Sequence, residues 1–104
     1  LKNILPNNST TQIKYNTTWE KNIIATGIIV VKKNQTLTVK KNLIIPENGI
    51  IFLEKNSRIV VDGGKIYSPS KNWEGIVEKN IKKRKKGTHS SPLIELLNNG
   101  TILY

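Results

Sequence analysis

Short runs of aliphatic and β-branched residues alternate along this chain with clusters of Asn, Gly and Lys. Residues 28–31 (IIVV), 36–39 (TLTV) and 43–45 (LII) are such runs, and their composition predicts strands and tight turns, not helices. The pattern then repeats. Residues 27–42, GIIVVKKNQTLTVKKN, align without a gap on residues 49–64, GIIFLEKNSRIVVDGG, at an offset of 22. Gly27 falls on Gly49, Ile28 and Ile29 on Ile50 and Ile51, Asn34 on Asn56 and Val39 on Val61; further on, Ile44 falls on Ile66. A period of this length marks a solenoid, whose units bury their apolar faces on one another.

Three short strands and three tight turns use roughly 22 residues, which is one rung of a three-sided parallel β-solenoid. Stacked rungs, about 4.8 Å apart, turn equivalent residues into ladders. Leu37 then lies over Ile59 and Val39 over Val61, pointing inward, while Thr38 and Val60 point outward. Asn34 and Asn56 take equivalent corners, where Asn tolerates a left-handed backbone. Gly63 and Gly64 form a sharper version of the corner made by Lys41 and Asn42.

A third rung is interrupted. WEGIV, residues 73–77, lies one period after residues 51–55, which puts Trp73 in the ladder of Ile29 and Ile51. The next strand returns only at residues 94–97, so that Ile94 follows Ile59 at an offset of 35 and about 13 residues are inserted. NNGTILY then echoes DGGKIYS. The expected organisation is a polar, mostly irregular arm over residues 1–18 and a solenoid over 19–104. Its rungs span about 27–48, 49–70 and 71–104, with a basic loop at 79–92. Trp19 and NIIAT read as a shortened first rung or cap, covering backbone groups that a solenoid end otherwise exposes. No comparable cap follows Leu103 and Tyr104, and a longer β-helix chain or a partner is expected at that end.

The order of Trp19, TGIIVVKKNQTLTVKKNLII, RIVVDGGKI, NWEGI and ELLNNGTI resembles the right-handed parallel β-helix region of large secreted and cell-surface proteins of Bacteroidetes. The resemblance covers about residues 17–104. It implies export by the type IX secretion route and an adhesin-like role, and brings no catalytic set. The expected fold is therefore all-β, a right-handed parallel β-helix forming a three-sided solenoid of about three to four rungs.

Charge adds one local feature. The chain of 104 residues has 17 Lys plus Arg against 7 Asp plus Glu, a net charge of +10. Six of those cations, Lys79, Lys82, Lys83, Arg84, Lys85 and Lys86, fall inside the insertion. They are the candidate anion-binding residues. The segment has no aromatic side chain for base stacking, so nucleic acid would be held only through salt-sensitive phosphate contacts. An acidic polysaccharide or lipopolysaccharide fits the same charge and a cell-surface setting. A solvated loop that keeps the solenoid soluble explains the run equally simply.

Other chemistry is sparse. The absence of Cys excludes disulfides and thiolate metal sites, and no stretch approaches the roughly 20 apolar residues of a membrane-spanning helix. Glu74 and Glu78 are close enough to share an outward face with Ile76 between them, where surface charge is the simpler reading. Asp62, before two Gly, reads as a turn residue, and the single His89 has no obvious carboxylate partner. Trp19 and Trp73 read as core or cap residues before sugar platforms. The Asn-x-Ser/Thr triplets at Asn7, Asn8, Asn16, Asn34 and Asn99 arise readily in an Asn-rich chain.

The expected function is a structural or adhesive segment of a secreted or cell-surface bacterial protein, not itself an enzyme and needing no cofactor. Two alternatives are an N-terminal fragment of a β-helix polysaccharide lyase or hydrolase and a non-specific nucleic-acid binder.

Overall fold

The computed structural model describes residues 3–4, 10–25, 27–70, 73–78 and 93–104. Within them the chain winds through three sheets in strict rotation. The first level is β2 (Thr10–Ile13), β3 (Thr17–Trp19) and β4 (Ile23–Ile24), with β1 (Asn3–Ile4) ahead of it. The second is β5 (Ile28–Val31), β6 (Thr36–Val39) and β7 (Asn42–Ile44); the third is β8 (Ile50–Leu53), β9 (Arg58–Asp62) and β10 (Lys65–Tyr67). The fourth is β11 (Ile76–Glu78), β12 (Ile94–Leu97) and β13 (Thr101–Ile102).

Each strand pairs in parallel with its equivalent one level away. Sheet A runs β1-β4-β7-β10-β13, sheet B β11-β8-β5-β2 and sheet C β12-β9-β6-β3. The result is an all-β parallel solenoid of about three turns, with a repeat near 22 residues.

The ladders read from the sequence are present. Leu37 pairs with Ile59 and Val39 with Val61, and all four are fully buried or nearly so. Ile29 on Ile51 and Val31 on Leu53 make the equivalent stack in sheet B. Burying such a side chain contributes about 1.5–3 kcal/mol, so these inward ladders of aliphatic residues, meeting in one core, are the main stabilising feature. At the corners Asn34 and Asn56 have φ of 66° and 60°, the left-handed backbone expected of them.

The third corner explains one departure in register. Ile66 pairs with Leu43, not Ile44, and Ile44 pairs with Tyr67. One extra residue at the Gly63–Gly64 corner moves the offset from 22 to 23, which keeps Leu43 and Ile66 both inside. Gly63 has φ of 77°, and a Cβ on Gly64 would stand 2.3 Å from the Lys41 carbonyl oxygen. The corner is sharp because glycine alone fits it.

The first level begins earlier than the sequence suggests. Thr10–Ile13 and the start of Thr17–Trp19, read above as irregular arm up to residue 18, are strands paired to β5 and β6. They carry few apolar residues of their own, yet their ladders to β5 and β6 are complete, and Ile13 is buried.

This level is also shorter, with offsets of 20 to the second level in sheets A and C. Two Asn side chains make up the difference. Between the second and third levels, Arg58 N donates to Gln35 O at 2.9 Å and Lys65 N to Lys41 O at 3.1 Å. At the matching places one level earlier, Thr36 N donates to Asn16 Oδ1 at 2.8 Å and Asn42 N to Asn22 Oδ1 at 3.0 Å.

At the other end the covering thins out. Ile94 and Ile102 continue the ladders of Ile59 and Ile66 but are only partly buried. Leu96, paired to the fully buried Val61, is 51% exposed.

Candidate functional site

The six cations of the expected contact, Lys79, Lys82, Lys83, Arg84, Lys85 and Lys86, lie outside the described residues, as does His89. The frame that carries them is described. Ile76 pairs with Ile51 at an offset of 25, and Ile94 with Ile59 at an offset of 35. Of the 13 residues by which β12 departs from the 22-residue period, one is the extra residue of the Gly63–Gly64 corner, two lie between β10 and β11, and ten lie between β11 and β12. Both flanking strands keep their parallel ladders, and Ile59 N donates to Leu93 O at 2.7 Å where the chain re-enters the stack.

The described part of the level that carries the basic segment is acidic. Its described residues include Glu74, Glu78 and Glu95 and no Lys or Arg. Glu95 receives Arg58 from the level before at 3.1 Å, and Glu54 receives Lys32 at 3.0 Å. Glu54 also accepts from the backbone amide of Lys33 at 3.1 Å. These are links between levels. The Arg58 pair is well exposed, so it adds little stability.

Glu74 and Glu78 do not share an outward face. Ile76 and Glu78 occupy the ladder positions of the buried Ile51 and Leu53, and Glu78 is half-buried, while Glu74 is exposed. Gly75, with φ of 84°, breaks the alternation between them. Asp62 accepts from Asn98 Nδ2 at 2.6 Å, consistent with a corner role. Among the described residues no group of three or more His, Cys, Asp or Glu stands together as a metal site would require.

Trp73 is displaced from the ladder expected for it, because Ile76 takes the place on Ile51. The one residue added at the Gly63–Gly64 corner and the two added between β10 and β11 put Trp73 at the corner instead, where Glu74 N donates to Gly49 O at 2.7 Å. It still belongs to the core, only 8% exposed. Its Nε1–H donates to the Leu103 carbonyl at 3.0 Å, and its ring stacks on Tyr104 with centroids 6.0 Å apart and planes 2° from parallel. Gly75 permits this stack: a Cβ there would come within 3.3 Å of the Tyr104 ring.

Beside this stack an open cleft of about 380 Å³ is lined by Tyr67, Ser68, Pro69, Leu103 and Tyr104. Lys65 stands at the neighbouring outward position, its Nζ 5.1 Å from the Tyr67 ring centroid. The Ser68 and Ser70 hydroxyls are 3.0 Å apart. Tyr104 is 72% exposed overall, yet partial burial pushes its phenol above the ordinary 10.0.

No protein-family model, no curated protein and no solved structure matches the chain.

Sequence reasoning located the insertion but missed the cleft. The echo of DGGKIYS in NNGTILY was its available signal, since it aligns Ile66 with Ile102 and so sets Tyr67 beside Leu103.

Proposed function

We propose that this chain is a structural and adhesive segment of a secreted or cell-surface bacterial protein, a short rod that holds a cationic segment out to anionic glycans. One observation carries the reading. Ten residues are added between β11 and β12 while both strands stay in register with β8 and β9. A segment mounted in this way is held at two fixed points on a stiff frame. Six cations on it, in a chain of net charge +10, supply the attraction. Acidic polysaccharide or lipopolysaccharide is the proposed partner, because contact through Lys and Arg alone selects charge rather than base sequence.

The test compares the chain with a variant lacking residues 82–86 on immobilised heparin and on lipopolysaccharide-coated surfaces. At about 50 mM salt, where ionic contacts are strong, the intact chain is retained and the variant elutes early. Equal retention of the two overturns the reading. Stronger retention on duplex DNA than on either glycan favours the nucleic-acid alternative.

A further inference from the structure

We propose that the cleft between β10 and β13 binds one pyranose ring of an acidic sugar, a site separate from the basic segment. Two tyrosines and a proline line it, and Leu103 closes its apolar side. Tyrosine rings present a flat apolar surface with a hydroxyl at the edge, suited to a ligand that has an apolar C–H face and polar rim groups. A pyranose has that division. Its volume, about 380 Å³, lies in the range of roughly 300–1,000 Å³ usual for small-molecule sites.

The walls are fixed before any ligand arrives. Tyr104 lies on Trp73 over Gly75, and the Trp73 indole holds the backbone at Leu103. Tyr67 is held in the ladder between Ile44 and the last level. A rigid aromatic wall loses little conformational entropy on binding.

Charge selects the kind of sugar. The Lys65 ammonium stands beside the Tyr67 ring and has no ion-pair partner among the described residues. A carboxylate on the ring, as in a uronic acid, reaches a cation there that a neutral hexose does not use. Glu95, the acidic residue of β12, is already paired with Arg58.

The experiment is amide and indole NMR on the isotope-labelled intact chain, titrated separately with D-glucuronate, D-glucose and p-cresol. Glucuronate is expected to shift the Tyr67, Ser68, Leu103 and Tyr104 amides and the Trp73 indole saturably, with affinity in the millimolar range. Glucose shifts the same signals roughly two- to fivefold more weakly, the usual worth of one exposed charge contact, and Lys65→Ala removes that difference. Tyr67→Ala abolishes binding, and the titration of the unaltered chain stands even where this variant fails to fold. Absence of saturable shifts up to about 50 mM sugar, equal affinity for glucuronate and glucose, or saturation by p-cresol alone each overturns the proposal. Deleting residues 82–86 leaves the shifts in place, so failure of the basic-segment reading and failure of this one are distinguishable.

Discussion

The side-chain oxygen of Asn16 accepts the Thr36 amide at 2.8 Å, in the place where Gln35 O serves Arg58 one level later. The Tyr15 carbonyl, which the ladder pattern would otherwise call on, accepts the Thr17 hydroxyl at 2.7 Å. A side chain thus stands in for main chain where a level is two residues short. Asn16→Ala is expected to lower stability by about 1 kcal/mol, the usual net worth of one such bond, read as a shift in urea midpoint. Asn16→Asp retains the acceptor and most of the stability. Asn22→Ala repeats the loss, because Asn22 serves Asn42 in the same way.

The aliphatic column predicts a gradient along the solenoid. Leu37→Ala removes a fully buried side chain flanked by Ile59 and is expected to cost about 2–5 kcal/mol. Leu96→Ala acts on a half-exposed residue of the last level and is expected to cost well under half as much. Equal losses in chemical denaturation would mean that the last level is covered in solution.

The Gly64 corner gives a steric prediction. A Cβ there meets the Lys41 carbonyl oxygen at 2.3 Å and the Val39 carbonyl oxygen at 2.9 Å, and both are backbone atoms that cannot turn aside. Gly64→Ala is expected to destabilise by at least about 2 kcal/mol, measured by thermal unfolding. The neighbouring Gly63→Ala meets no close contact but retains a positive φ, so its cost is expected near 1 kcal/mol.

Tyr104 predicts a pH dependence. Burial favours its neutral phenol, so the folded-state value lies above 10.0 and the folded chain holds the proton longer than the unfolded chain. The contribution to stability is complete below pH 10.0 and is lost as pH rises through the raised folded value. Thermal midpoints measured across that window should fall, and Tyr104→Phe should remove this part of the slope.

The legible parts of the fold were those where a residue type has one physical use. Leu37, Val39, Ile59 and Val61 have no role but to fill the inside, and Asn34 and Asn56 suit left-handed corners, so alignment of the chain on itself found them. Thr10–Ile13 was not legible, because this strand is set by its pairing with β5 and shows little apolar pattern of its own. The positions of Ile66 and Trp73 were missed for a shared reason. A corner accommodates one or two extra residues while the inward ladder is preserved, and a fixed period does not count them. The aromatic cleft joins residues 37 apart, Tyr67 and Tyr104, whose proximity depends on that same uncounted spacing.

The site where β11 hands over to β12 has one more implication. Once its two anchors are in register, the entropy of closing the connection grows only logarithmically with length, by about 0.6 kcal/mol per doubling. The ladders on either side are therefore nearly indifferent to the length of that connection. A different peptide grafted between Glu78 and Leu93 should leave the stack standing, which makes this position a natural exchange point where length and sequence can be rewritten while the architecture is inherited intact.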